Sequence, residues 1–240
     1  MLRFYFTIIF SFFSILYFLG MTATIKKNPD KYTEEKRYSL VQYACRTIQK
    51  RGNIENNIYG QENLPTEGGY IMYPNHQGRY DVIGIVLSHD NPLSYVIDKK
   101  RSKMIILDQA TYLLNAKRLD KSDMRNQVKI INQVSDEVLD GRKYVIFPEG
   151  GYDEEVTDNM VHEFMPGAFK AAIKARCPIV PVALIDSHKV YLKNTLKRVK
   201  CQIHYLEPIL FDEYKNLNTH EIAELVKSRI CDKMKEVQAI

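Results

Sequence analysis

The sequence predicts an α/β domain, a mostly parallel or mixed sheet flanked by helices, behind an N-terminal membrane-anchoring helix and a second, amphipathic helix. Three observations predict it. Short apolar runs of strand length alternate with segments whose apolar residues recur at helical spacing, the pattern of a largely parallel sheet. No charged residue stands between Phe4 and Ala23. The 240 residues, 45% hydrophobic and 26% charged, suffice for one domain with a real core plus an appendage. Residues 1–52 hold the anchor and the amphipathic helix in this reading, and residues 53–240 the main domain.

The uncharged run holds six of the ten Phe. Twenty helical residues rise about 30 Å, the thickness of a bilayer's hydrocarbon core. A cleaved signal peptide is the rival, but its apolar stretch is roughly 7–15 residues and Gly20-Met21-Thr22-Ala23 is a poor cleavage site. A buried helix of a soluble protein would show a polar face. Whether the run spans the bilayer or lies in its surface stays open at this point. Arg3 precedes it alone, whereas Lys26, Lys27, Lys31, Lys36 and Arg37 follow, which places the main domain on the cytoplasmic side. Cys45, Cys177, Cys201 and Cys231 are scattered with no CxxC, so neither a zinc site nor a disulfide framework is signalled. The net charge of +5 suits a lipid surface or plain solvation, and no nucleic-acid motif accompanies it.

The elements follow in order. Thr33–Arg51 reads as a helix, with Val41, Ala44, Cys45 and Ile48 on one face and Lys and Arg on the other. Gly60–Gly69 is a turn-rich entry to a buried strand, Tyr70–Tyr73. An apolar helix spans Val82–Leu87, and Leu93–Ile97 is a second strand. Met124, Val128, Ile131, Val134 and Val138 mark a long amphipathic helix ahead of the strand Tyr144–Phe147. Phe164–Arg176 is helical, Ile179–Leu184 an apolar strand, and Val199–Leu206 alternates in strand fashion. The last helix begins at Asn218 with Glu221 three residues on, a capping box.

Two loops beyond strand ends carry chemistry, where open α/β sheets bind ligands. They are Asn75-His76-Gln77-Gly78-Arg79-Tyr80-Asp81 and Phe147-Pro148-Glu149-Gly150. Residues five apart do not share a face of a straight helix, so His76 and Asp81 meet only if the chain turns between them, and Gly78 makes that turn easy. Such a pair can serve as a base and its orienting acid. A short motif alone is weak, because it arises by chance.

The ordered set is stronger. Asn75-His76 with Asp81, then Phe147-Pro148-Glu149-Gly150, then Ile179-Val180-Pro181-Val182, resembles the motifs of glycerolipid acyltransferases, the 1-acyl-sn-glycerol-3-phosphate acyltransferases in particular. Gly60–Pro65 and Phe164–Lys170 are similar to that family as well, and the likeness runs from about Tyr59 to Ser187. It implies the family's fold and transfer of an acyl chain from a thioester, acyl-coenzyme A or acyl-carrier protein, to the sn-2 hydroxyl of a lysophospholipid. No cofactor and no metal are implied, and the bilayer is a partner. An alcohol is a feeble nucleophile at neutral pH and needs a base. By resemblance His76 is that base and Asp81 its partner, while Asn75, Arg118, Lys121, Glu149, Gly150 and Pro181 shape the acceptor site.

The chain departs from the pattern in two places. Gly78 stands where the family commonly has Ser, and Gly151-Tyr152-Asp153 replaces Thr-Arg-Ser after Glu-Gly. The lost cation and added acid raise the alternative of another lysophospholipid acceptor, with Arg118 and Lys121 as the remaining phosphate binders. A non-catalytic lipid-binding protein is the other alternative. No serine-hydrolase elbow, P-loop or dinucleotide fingerprint is present, and His162-Glu163 does not extend to a zinc motif. The stretch Lys189, Lys193, Lys197, Arg198, Lys200 reads as a solvated face or a site for headgroups or an acidic carrier.

Overall fold

The computed structural model describes residues 2–152, 158–192 and 195–239. Asp153 and Lys193 lie outside them. Seven strands are β1 (Ile54–Tyr59), β2 (Ile71–Pro74), β3 (Leu93–Asp98), β4 (Lys117–Leu119), β5 (Lys143–Val145), β6 (Ile179–Ile185) and β7 (Val199–Tyr205). The helices are α1 (Leu2–Phe10), α2 (Phe12–Lys27), α3 (Glu34–Arg51), α4 (Asp81–Ser88), α5 (Ile105–Leu113), α6 (Met124–Leu139), α7 (Lys170–Ala175), α8 (Lys189–Leu192), α9 (Phe211–Tyr214) and α10 (Thr219–Gln238).

The strands form one mixed sheet in the order β1-β7-β6-β2-β5-β3-β4. Every pairing is parallel except β6 with β7. Alternation in β2 shows how both faces are covered. Ile71 and Tyr73 pack with α6, α7 and α10 residues such as Val134, Ala172 and Val226. Tyr70 and Met72 pack on the other side with Val41 of α3, Ile85 of α4 and Leu113 of α5. Because β2 to β6 run parallel, the loops after each of them emerge along one edge of the sheet. That edge carries the site.

Several elements differ from expectation. The stretch Phe164–Arg176 opens with a 3₁₀ turn at Pro166–Phe169, and only Lys170–Ala175 is α-helical before Arg176 takes a left-handed φ of 50°. In α6, Met124 and Val128 are exposed, and Ile130, Val134 and Val138 make the buried stripe. Pro181 lies inside the sheet. Its carbonyl accepts from Leu206 N–H at 3.0 Å, so its missing N–H also faces β7, just past that strand's end, where the ladder loses least. The capping box stands: Asn218 Oδ1 accepts from His220 and Glu221 N–H, and Glu221 Oε2 accepts from Asn218 N–H.

The apolar N-terminus is the main correction. It is not one helix but two, bent by 65° at Ser11. Among the described residues no single helix is long and apolar enough to cross a membrane, while the bent pair passes by length and composition. The cause is Arg3. Its guanidinium is fully buried and donates to the carbonyls of Gly52, Thr195 (2.9 Å) and Lys197 (2.7 Å), which fastens α1 to the main domain. Arg3, Thr7 and Ser11 recur every four residues and all are buried, whereas Leu2, Tyr5, Ile9, Phe12, Phe13 and Leu16 face outward. The helix is amphipathic inside out. Arg3 therefore cannot be counted among the flanking cations.

Removing the guanidinium leaves buried carbonyls without donors, at about 1–3 kcal/mol each. Limited proteolysis of Arg3→Met is therefore expected to release residues 1–12 much faster than in the wild type, with the helix and strand content of the main domain unchanged by circular dichroism.

Candidate active site

His76 follows β2, and α4 starts at Asp81, so the chain turns between them as required. The turn does not rest on glycine: Gly78 has no left-handed φ, and an added Cβ would meet only His188 Cα at 4.0 Å. The carboxylate makes the turn. Asp81 Oδ2 accepts from the N–H groups of Gln77 (2.6 Å) and Gly78 (2.9 Å) and from His76 Nδ1 (2.7 Å), and Oδ1 accepts from Ser187 Oγ (2.5 Å). Asp81 is only 1% exposed. Because a carboxylate only accepts, the proton sits on Nδ1 and Nε2 keeps its lone pair. No described residue meets Nε2 within hydrogen-bond distance. The imidazole stacks on Phe147 at 4.0 Å between centroids and meets the edge of Tyr152 at 4.6 Å.

Ser187 ties this turn to the end of β6. Its hydroxyl and N–H also approach Gln77 Oε1, at 3.0 and 3.1 Å, and Gln77 Nε2 donates to Asn159 Oδ1 at 2.8 Å. Asn159 in turn binds Asp186 through both side-chain atoms, which holds Asp186 at a left-handed φ of 67°. Sequence reasoning missed Ser187, Gln77 and Asn159. The rule that pointed to the loop after β2 points equally to Asp186-Ser187 after β6, so the signal existed for Ser187.

Glu149, beyond β5, accepts from His76 N–H through Oε1 at 2.9 Å. Its Oε2 is buried without a partner. Burial is the main cause that pushes its carboxyl up to about 7, and the charge of Asp81 adds to it, while the His76 N–H opposes both. Gly150 is required by conformation: its φ is +72°, and a Cβ would lie 2.7 Å from Met165 Sδ. Lys121 donates its amine to the Gly150 carbonyl.

The remaining expected residues are placed elsewhere. Asn75 is fully buried, with both side-chain atoms taken by the backbone of Leu184, at 3.0 and 2.7 Å. It braces β2 against β6 and offers a ligand nothing. Pro181 is likewise enclosed by the sheet. Arg118 pairs with Asp108 through Nη2 at 2.6 Å and donates from Nε to Ser102 Oγ at 3.1 Å, so two of its three nitrogens are engaged within the protein. Among the described residues no three ligating side chains converge as a metal site.

A model of the Acyltransferase family matches residues 55–185, more than half of the chain, and the chain belongs to that family. Over 131 residues it is 28% identical to a 1-acyl-sn-glycerol-3-phosphate acyltransferase of Chlamydomonas reinhardtii, covering 54% of this chain and 38% of that protein. Over 187 residues it is 29% identical to the Saccharomyces cerevisiae 1-acyl-sn-glycerol-3-phosphate acyltransferase, covering 75% and 60%. The matches thus span less than two thirds of each of these relatives. The crystal structure of the 1-acyl-sn-glycerophosphate acyltransferase PlsC from Thermotoga maritima shares the fold, with a TM-score of 0.78 at 18% identity over 99% of this chain and 97% of that one.

Glu149 gives a pH-dependent expectation. Between its unfolded value of 4.5 and about 7, the unfolded chain ionises while the folded one stays protonated, so wild-type stability falls as pH rises through this window. The full shift corresponds to about 3 kcal/mol. Glu149→Gln keeps the acceptor for His76 N–H and removes the buried charge. Its urea midpoint is expected to exceed the wild type's above pH 7, with the difference fading toward pH 5.

Proposed function

We propose that the protein moves an acyl chain from a thioester to the sn-2 hydroxyl of 1-acyl-sn-glycerol-3-phosphate, making phosphatidate. The observation that carries the reading is the 2.7 Å contact between His76 Nδ1 and an Asp81 carboxylate whose other positions are filled. A fixed imidazole with Nε2 outward is a base for a hydroxyl. His76 takes the hydroxyl proton as the oxygen attacks the thioester carbonyl. The C–O bond forms, the C–S bond breaks, and the proton passes to the departing thiolate. Asp81 stabilises the imidazolium formed between these steps. No protein nucleophile is needed. Glu149, which accepts from His76 N–H, shapes the acceptor site beside the imidazole. Both kinds of thioester, acyl-coenzyme A and acyl-carrier protein, suit this chemistry.

The inside-out α1 supports a membrane-associated enzyme that lies in the bilayer surface rather than spanning it. Drawing α1 across the bilayer would pull Arg3 from three carbonyls and expose Thr7 and Ser11 to hydrocarbon. Exposed Ile9 and Phe13, at 67% and 83%, suit the headgroup–acyl boundary, where the acceptor and product reside. Lys26 and Lys27 at the end of α2, with Lys31, Lys36 and Arg37 beyond it, suit the anionic headgroups of the cytoplasmic leaflet.

The test is acyl transfer by purified protein in mixed micelles, with lysophosphatidate and zwitterionic lysophospholipids as acceptors. His76→Ala is expected to lower kcat by about 10²–10⁴-fold. Unchanged turnover in that variant would overturn the dyad. Absence of transfer by the wild type to every acceptor would point instead to a lipid-binding protein.

A further inference from the structure

Arg101 lies in the 3₁₀ turn that follows β3, on the same sheet edge as His76 and Glu149. The turn is braced from within. Asp98 Oδ1 accepts from the N–H groups of Lys100 (2.8 Å) and Arg101 (3.2 Å), and the buried Ser102 hydroxyl donates to the Lys99 carbonyl at 2.9 Å. From this base the Arg101 guanidinium sits over the Tyr152 ring, 4.5 Å from its centroid. Cations within about 6 Å of a ring face are held there. The same ring presses edge-on against His76. Arginine, tyrosine and imidazole thus form one continuous chain of contacts.

Two neighbouring cations are neutralised: Lys99 pairs with Asp120, and Arg118 with Asp108. Arg101 and Lys121, like Lys100 and Lys103, have no carboxylate among the described residues within 4.0 Å of their charged side-chain nitrogens. Lys121 reaches the Gly150 carbonyl on one side of Glu149–Tyr152, and Arg101 covers Tyr152 at the other end. Two cations without a carboxylate partner among the described residues therefore flank the loop that borders the imidazole.

We propose that Arg101, held over Tyr152, sets acceptor specificity by binding the phosphate monoester of the lysophospholipid together with Lys121. This rests on the acyl-transfer reading above. A planar guanidinium offers paired donors to phosphate oxygens and a second donor face to the ring, whereas lysine supplies a point charge. The cation missing after Gly150 is thereby supplied from a different loop. A monoester at pH 7 carries between one and two negative charges, and a choline diester has one, masked by its own cation. Arg101 accordingly favours lysophosphatidate over zwitterionic acceptors.

The experiment compares wild type, Arg101→Gln, Arg101→Lys and Tyr152→Leu in micelles, with lysophosphatidate and lysophosphatidylcholine as acceptors. Arg101→Gln is expected to raise KM for lysophosphatidate about tenfold, with kcat within about twofold and KM for lysophosphatidylcholine unchanged. Tyr152→Leu should raise the same KM, and Arg101→Lys should fall between. Wild-type KM should decrease as pH rises through the phosphate's second ionisation, near 6, and Arg101→Gln should flatten that dependence. Equal effects on both acceptors, or an unchanged KM for lysophosphatidate, would overturn the proposal. Direct micelle binding of lysophosphatidate separates it from the transfer reading. Weaker binding by Arg101→Gln supports the anion site even if the wild type transfers no acyl chain, and equal binding refutes it.

Discussion

One buried carboxylate organises the functional edge of this protein. Asp81 receives four donors: two backbone N–H groups of the turn before it, the imidazole of His76, and the hydroxyl of Ser187 from the next strand's end. Each donor fixes something different. The backbone pair bends the chain so that residues five apart meet, the imidazole is held in one tautomer, and Ser187 locks the turn to β6. Asn75 does the same job one residue earlier, through Leu184. The imidazole therefore stands on a frame spanning two central strands, which is what a preorganised site needs.

The loop after β5 answers that frame with an opposite design. Glu149 is buried with one oxygen unpartnered and its proton held near neutrality, and Phe147 and Tyr152 wall the imidazole with rings. Polar atoms that the fold leaves unsatisfied cost stability. Such a cost is expected where a ligand hydroxyl completes the pattern. Farther out lie Lys121 and Arg101, whose charged nitrogens meet no carboxylate among the described residues. The site thus grades from a fixed imidazole through a buried acid to a cationic rim.

Much of this was legible in the sequence. The alternating apolar runs gave the sheet and its helices, because buried parallel strands need continuous apolar residues. The loops with His76, Asp81 and Glu149 stood out as polar residues beyond strand ends. What stayed hidden depends on partners far along the chain. Arg3, which fastens α1, finds carbonyls 49 to 194 residues away, which no local pattern encodes. Arg118 looked like a ligand cation until Asp108 claimed it, and Arg101, in an ordinary basic run, acquires meaning only through Tyr152. Gly78 was credited with a turn that Asp81 makes.

The central claim is that Asp81 holds His76 as the Nδ1–H tautomer with Nε2 available. Two-dimensional ¹⁵N–¹H spectra of histidine-labelled protein at pH 8 test it directly, with His76→Gln assigning the signal among six histidines. The account predicts a protonated Nδ1 and an unprotonated Nε2 for His76, and loss of that pattern in Asp81→Asn. A predominant Nε2–H tautomer in the wild type, or rapid exchange between both, would contradict it.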